Sequence, residues 1–246
     1  MSQSVLQLMA IAPQSVSVTD SDEALGPLRW SQSGPHYALC RETPQDDFQG
    51  PGSEENFANL EWVTRRAVAH QGVIDAARLQ TPLCPLPLGV LFRDEEKLDD
   101  FLSRNASAVA EFFAETSERE EYGVKLFAKE QAEQGAPVAK PSSGADRLRQ
   151  KLAARHAAED QATRLDTFVA QTRRDLEAIT PRVRDRKVVS DLREDGYAPL
   201  AGFAVLADQN EAERLQEWGA TQSQNDGFSL EITGPWPAYA FCPSLT

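Results

Sequence analysis

Apolar positions recur at two different periods along this chain, and each change of period marks an element. Residues 3–12, QSVLQLMAIA, alternate weakly and predict a strand. Residues 13–35 are rich in Pro, Gly, Ser and Asp and read as loop. HYALCRE (36–42) predicts a second short strand, followed by another loop over 43–56. Phe57, Leu60, Val63, Ala67, His70, Ile74 and Ala77 then fall at spacings of three and four. That is one apolar stripe of a helix, with Ser53 or Asn56 as its cap. CPLPLGVLF (84–92) puts Leu86, Leu88, Val90 and Phe92 on one face if it is extended. Pro85 and Pro87 cannot donate to a ladder, which places this strand at an edge. Asp94, Glu95 and Glu96 open a second helix, where carboxylates suit the dipole, and Leu98, Phe101, Leu102, Val109 and Phe112 form its apolar face. YGVKLFA (122–128) reads as a strand. Residues 1–128 therefore predict an α+β domain of order β-β-α-β-α-β, with helices on one face of a sheet.

Residues 129–144, KEQAEQGAPVAKPSSG, are polar and rich in Pro, Gly and Ser, and read as a linker. Ser143 with Asp146 resembles a capping box. From there to Thr180 no Gly or Pro interrupts, and apolar or small residues return about every 3.5 positions, from Leu148 and Leu152 to Leu176 and Ile179. The expectation is one helix over 145–180, a rod of roughly 50 Å. Its stripe is thin, so it reads as a coiled-coil-like arm packed along one side. RKVVSDL (186–192) and LAGFAVLA (200–207) predict strands about a turn at Asp195-Gly196. Asn210 with Glu213 opens a short helix, NDG (225–227) marks a turn, and Phe228, Leu230 and Ile232 alternate into a last strand. With the long helix, residues 145–246 fit a second domain with a small ferredoxin-like sheet over 186–241.

Composition narrows the classes of function. The 246 residues carry a net charge of −13. That disfavours nucleic acid and anionic membrane surfaces as partners, because both need clustered Lys and Arg. No run of apolar residues is long enough for a transmembrane helix. The N-terminus lacks a basic n-region and reads as a strand, which implies the cytoplasm. Cys40, Cys84 and Cys242 are isolated and odd in number, as expected of thiols in a reducing compartment. With His36, His70 and His156 equally scattered, no metal-ligand spacing exists and no cofactor is implied. Charge is uneven: residues 1–127 carry 20 acidic and 10 basic side chains, whereas residues 144–186 carry 7 and 10. One basic segment thus lies inside an acidic chain, either as a solvated helix face or as a docking surface.

Catalytic signatures are missing. GxSxG, the P-loop, GxGxxG and HExxH do not occur. The carboxylates of 94–100 fall at a helix start and its solvent face, away from the apolar setting that tunes a general acid. His70 on an apolar stripe reads as a hydrogen-bonded core residue, and Cys84 as a small buried hydrophobe.

Three stretches carry a resemblance: LEWVTRRAVAHQGVIDAA (60–77), LPLGVLFRDEEKLDDFL (86–102) with EEYGVKLFA (120–128), and EITGPWPAYAF (231–241). In this order they resemble the GvpF/GvpL family of gas vesicle accessory proteins. The closing strip is similar to that family's Gly-Pro-Trp-Pro-Pro-Tyr-Ser-Phe signature. The middle is similar to its Leu-Pro-Leu-Arg-Phe-Gly segment. Pro87 and Leu88 stand where the family has Arg and Phe, and Ala238 and Ala240 where it has Pro and Ser. The resemblance implies a non-enzymatic, cytoplasmic, gas-vesicle-associated protein needed for vesicle assembly. It implies contact with the hydrophobic major shell protein and with other accessory proteins. The fold it implies is α+β, two domains that are each a variant of the ferredoxin-like sandwich.

Two partner surfaces are candidates on this reading. One is the strip, with Gly234, Pro235, Trp236, Pro237, Tyr239 and Phe241. Its aromatics either cover a sheet edge or anchor a partner, and a proline-rigid strip can do both with opposite faces. The other is the basic arm, with Arg147, Arg155, Arg164, Arg173 and Arg174. The rival readings are a regulator that binds a small molecule between ferredoxin-like domains, and an enzyme with dispersed residues built on His70 and Cys84.

Overall fold

Eight of the nine residues of strand β1 (Ser4–Ala12) are buried, which explains why its alternation is weak: both faces of the strand are covered. The computed structural model describes residues 3–20, 22–129, 144–188, 196–222 and 227–246. The chain is α+β, and its contacts divide it into two units, residues 1–120 with 236–246, and residues 121–235.

In the first unit, β1 pairs antiparallel with β3 (His36–Pro44), and β3 pairs with β2 (Leu28–Ser33). The register slips between Leu8 and Ala10, a bulge that re-aims the strand. β2 overturns the reading of 13–35 as loop throughout. It is a half-buried edge strand whose hairpin with β3 turns at Gly34, where φ is 54°. On the other side of β1, two short bridges replace the single strand expected over 84–92: β4 (Cys84–Pro85) and β5 (Leu91–Phe92). The edge position expected from the prolines holds for β4.

The expected first helix is two. α1 (Ser53–Ala58) ends at Asn59, whose side chain accepts from Trp62 N at 3.2 Å and caps α2 (Leu60–Arg78). Ser53 and Asn56 do not cap; their side chains donate to Gly50 O and Asp47 O. The buried face of α2 is Ala69, His70, Val73, Ile74 and Ala77, so Phe57, Leu60 and Ala67 of the expected stripe lie outside the core. α3 (Glu95–Thr116) is capped by Asp94 and buries all five expected apolar residues. Met9, Leu39, Val73, Ile74 and Leu83 form one core cluster, with Trp30 and Tyr239 packed against it.

In the second unit the order is β6 (Glu120–Lys129), α4 (Gly144–Ile179), β7 (Val183–Arg186), β8 (Tyr197–Ala207), α5 (Gln209–Gln222) and β9 (Phe228–Trp236). The sheet runs β7-β8-β6-β9, so the first strand lies between the third and the fourth. The sequence reading put β6 with the first domain and residues 236–246 with the second. Contacts pair each with the other unit. Of the expected linker, residues 130–143 lie outside the described residues, as do Ser143 of the expected capping box and most of the turns at 195–196 and 225–227. α5 is capped by Asp208, not Asn210: Glu211 N donates to Asp208 Oδ1 at 2.9 Å and Asp208 N to Glu211 Oε2 at 3.0 Å, a reciprocal box. Val124, Leu126, Leu176, Phe203, Val205 and Leu215 form the core, and Phe168 of α4 stacks on Phe228 with centroids 4.0 Å apart. Only the C-terminal half of α4 is covered; residues 147–160 are exposed throughout.

Candidate functional site

The strip divides between two roles. Gly234 has φ 125°, a value that suits glycine, and it precedes a cis peptide bond to Pro235. Both are exposed, and Trp236 is 42% exposed. From Pro237 onward the chain turns inward onto the first unit. Pro237 and Ala238 are buried and Phe241 is 2% exposed. Tyr239 packs on the core cluster and its hydroxyl donates to Gln71 Oε1 at 3.2 Å. Cys242 Sγ donates to Pro85 O at 3.0 Å, and Asn105 exchanges two hydrogen bonds with the backbone of Thr246, at 3.0 and 3.1 Å. Of the aromatic candidates, then, Phe241 is buried, Tyr239 is half-buried against the core, and Trp236 is exposed.

The arm divides in the same way. Arg173 donates to Glu177 at 2.9 Å and to Asp185 at 2.6 Å. The Asp185 carboxylate, then that of Glu177, hold its guanidinium above the ordinary value. Arg174 donates to Gln171 Oε1 at 2.7 Å, and Arg155 pairs with Glu159 one turn on. Arg147 and Arg164 are exposed, and Arg147 adjoins the exposed Leu148. The arm and residues 236–241 belong to different units.

A third surface is visible only in the structure. Phe57 on α1, Leu60 (79% exposed) and Val68 on α2, and Leu79 just past its end are large apolar side chains in solvent. Leu60, Thr64, Ala67 and Val68 lie side by side on an exposed face without a charge among them. At its start Phe48, Phe57 and Trp62 meet edge to face at 5.6–6.2 Å. The Arg66 guanidinium lies 4.0 Å from the Trp62 ring centroid and is held there by Asp47. The sequence signal was present in the spacing of Phe57 and Leu60. Spacing alone reads as a core stripe, because exposure and burial of a stripe look alike from one chain.

The residues of the enzyme reading have structural partners. His70 is buried; its Nε2 donates to Leu86 O at 2.9 Å and its Nδ1 accepts from Gln7 Nε2 at 3.1 Å. Burial lowers its pKa. No cluster of His, Cys, Asp and Glu among the described residues has the form of a metal site. A cleft of about 310 Å³ opens in the second unit beside Val169, Asp185, Arg186, Leu200 and Phe203. Its charged groups are one carboxylate and one guanidinium. No helix among the described residues is long and apolar enough to cross a membrane.

The described residues thus form one unit of helices on a sheet and a second sheet unit with a long helix, with large apolar side chains exposed on the first. The family model "Gas vesicle synthesis protein GvpL/GvpF" matches residues 9–243, and the chain belongs to that family. It is 28% identical over 226 residues to gas vesicle protein L of Streptomyces sp., covering 87% of this chain and 83% of that one. It is 30% identical over 213 residues to gas vesicle protein L1 of Halobacterium salinarum, covering 76% and 73%. The fold is shared with the crystal structure of gas vesicle protein GvpF from Anabaena sp. PCC7120, at a TM-score of 0.72 and 16% identity over 98% of this chain and 96% of that one. GvpF from Microcystis aeruginosa aligns at 0.65, again with 16% identity, over 97% and 99%.

Proposed function

We propose that this chain acts as a non-enzymatic accessory protein of gas vesicle assembly by binding the apolar major shell protein and other accessory proteins. Family membership supports the accessory role. The observation that carries the finer reading is the set of large apolar side chains left in solvent on the first unit: Phe57, Leu60, Val68 and Trp236. Leu60 and Val68 share one exposed helix face, and on this reading that face meets a partner. An apolar subunit covers it at the gain of about 25 cal/mol per Å² removed from water. The net charge of −13 keeps such a complex soluble. The exposed half of α4, with Arg147 and Arg155 around Leu148 and Leu152, is a second surface, suited to an acidic accessory partner or a second copy of this chain.

The test is co-expression of the tagged chain with the major shell protein of its own gene cluster. Wild type is expected to hold the shell protein in solution. Leu60→Ser/Val68→Ser and Trp236→Ala, each checked for native circular dichroism, are expected to release it. Shell protein that stays insoluble beside folded wild type sinks the proposal. Retention by both folded variants moves the contact off these side chains.

A further inference from the structure

Two of the three cysteines, 158 positions apart in the chain, meet inside the first unit: Cys84 Sγ and Cys242 Sγ are 3.1 Å apart. Cys84 is fully buried in β4 beside β1, and Cys242 is half-exposed at the end of the segment that folds back over that strand. We infer that this pair is an oxidisable site that closes to a disulfide and fastens residues 236–246 to the first unit. The inference does not depend on the shell-protein reading.

Several observations support it independently. A disulfide bond is about 2.05 Å long, so the two sulfurs need to approach by only about 1 Å. The backbone on both sides is already placed. Cys242 Sγ bonds to Pro85 O, next to Cys84, while Tyr239–Gln71 and Asn105–Thr246 hold the segment before and after it. Access is one-sided, which sets the order of events: an oxidant reaches Cys242 first and Cys84 resolves. Cys40 is the internal control. It is fully buried, and burial pushes its thiol up to about 12, so it stays reduced.

The oxidant class is a small disulfide such as oxidised glutathione. The Cys242 thiolate attacks one sulfur of the oxidant, forming a mixed disulfide and releasing one glutathione thiolate. The Cys84 thiolate then attacks the Cys242 sulfur, the protein disulfide forms, and the second glutathione thiolate leaves. The two cysteine protons end on the two released thiolates. The protein loses two electrons and two protons, and the oxidant becomes two thiol molecules.

The experiment uses the purified full chain, equilibrated with oxidised glutathione and then alkylated in denaturant. Reduced chain is expected to show three alkylated cysteines. Oxidised chain is expected to show one, at Cys40, with a tryptic peptide pair joined through Cys84 and Cys242 that falls apart on reduction. Cys242→Ser, a change at a half-exposed position, is expected to keep native circular dichroism and to lose the linked pair; Cys84→Ser is the buried counterpart. Three alkylated cysteines after oxidation overturn the proposal. So does a disulfide between two copies of the chain, or a glutathione adduct on Cys242 that Cys84 never resolves.

Discussion

Gln7 of β1 and His70 of α2 meet at 3.1 Å in the core of the first unit, and His70 passes its other ring nitrogen to Leu86 O at 2.9 Å. The imidazole is therefore a neutral bridge between a strand, a helix and the segment after β4. Its pKa is lowered from 6.5 by burial, and that of His36 is lowered by the same cause. The unfolded chain binds more protons than the folded one once the pH drops below about 6.5, so stability is full above that value and is lost as the pH falls toward the folded pKa. The thermal midpoint is expected to decline between pH 7.5 and 5.5. In His70→Leu that decline is shallower. The substitution costs about 1–3 kcal/mol for each partner left unsatisfied, the Gln7 amide and the Leu86 carbonyl. An unchanged slope in His70→Leu shows that other groups control this pH range.

Arg41 is buried against Asp20, with oxygens at 2.7 and 3.0 Å, and also donates to Gly26 O at 3.0 Å. Burial alone would raise the Asp20 pKa; the Arg41 hydrogen bonds, the Asp22 N–H and the Arg41 charge together outweigh it and hold the carboxyl low. Arg41→Ala leaves a carboxylate buried without its cation and is expected to cost about 3–5 kcal/mol in urea unfolding. Arg41→Met with Asp20→Asn removes both charges and is expected to recover much of that loss. A double variant no better than the single one shows that packing, not the orphaned charge, is responsible.

Gly26 has φ 112°, and a Cβ there would meet Glu42 O at 1.9 Å. Because the obstacle is backbone, Gly26→Ala is expected to lose about 1–3 kcal/mol or more of stability. Gly34 also has positive φ, 54°, but nothing stands within 4 Å of its Cβ, so Gly34→Ala costs less. Denaturation midpoints of the two variants in parallel decide it.

Phe241 and Trp236 are five positions apart, yet their truncations are expected to read out differently. Phe241→Ala removes a buried ring and should cost about 3–5 kcal/mol. Trp236→Ala alters a 42% exposed ring and should cost about 1 kcal/mol or less while weakening partner capture. Equal thermal shifts in the two variants would show that Trp236 is part of the core.

The arm is best probed away from Arg173. Reversing Arg173 to Glu breaks its pairs with Glu177 and Asp185, so a lost interaction would be mixed with lost stability. Arg147→Glu/Arg155→Glu changes two exposed positions about two turns apart, loses the solvent-exposed Arg155–Glu159 pair, and is expected to cost about 1 kcal/mol or less. Pull-down with the accessory proteins of the cluster then reads the surface alone; intact capture shows a solvated helix face.

The long helix was legible almost to the residue, 145–180 against 144–179, because thirty-odd positions without Gly or Pro leave few alternatives. α3 was equally clear, since its buried face is a full stripe and Asp94 announces the start. β2 was not: an edge strand half-covered on one side alternates too weakly to stand out among Pro, Gly and Ser. The placing of β6 was also hidden, for local sequence shows that a strand forms and not which sheet receives it. Asn59 as the true cap of α2 was masked by the apolar spacing that runs across it. Of the candidate surfaces, the strip and the basic arm stand out by composition alone. The face of Leu60 and Val68 and the meeting of Cys84 with Cys242 arise from long-range folding, for which one sequence holds no signal.

The C-terminal segment that closes the first unit also makes the folding of that unit a long-range event. Residues 1–120 leave the ribosome early, but Tyr239 and Phe241 complete their packing and Thr246 their hydrogen bonds. The second unit closes between residues 121 and 235, an insertion that parts the chain of the first unit in two. The first unit is therefore discontinuous in sequence, and its core is complete only when a segment more than a hundred positions downstream of residue 120 has packed on it.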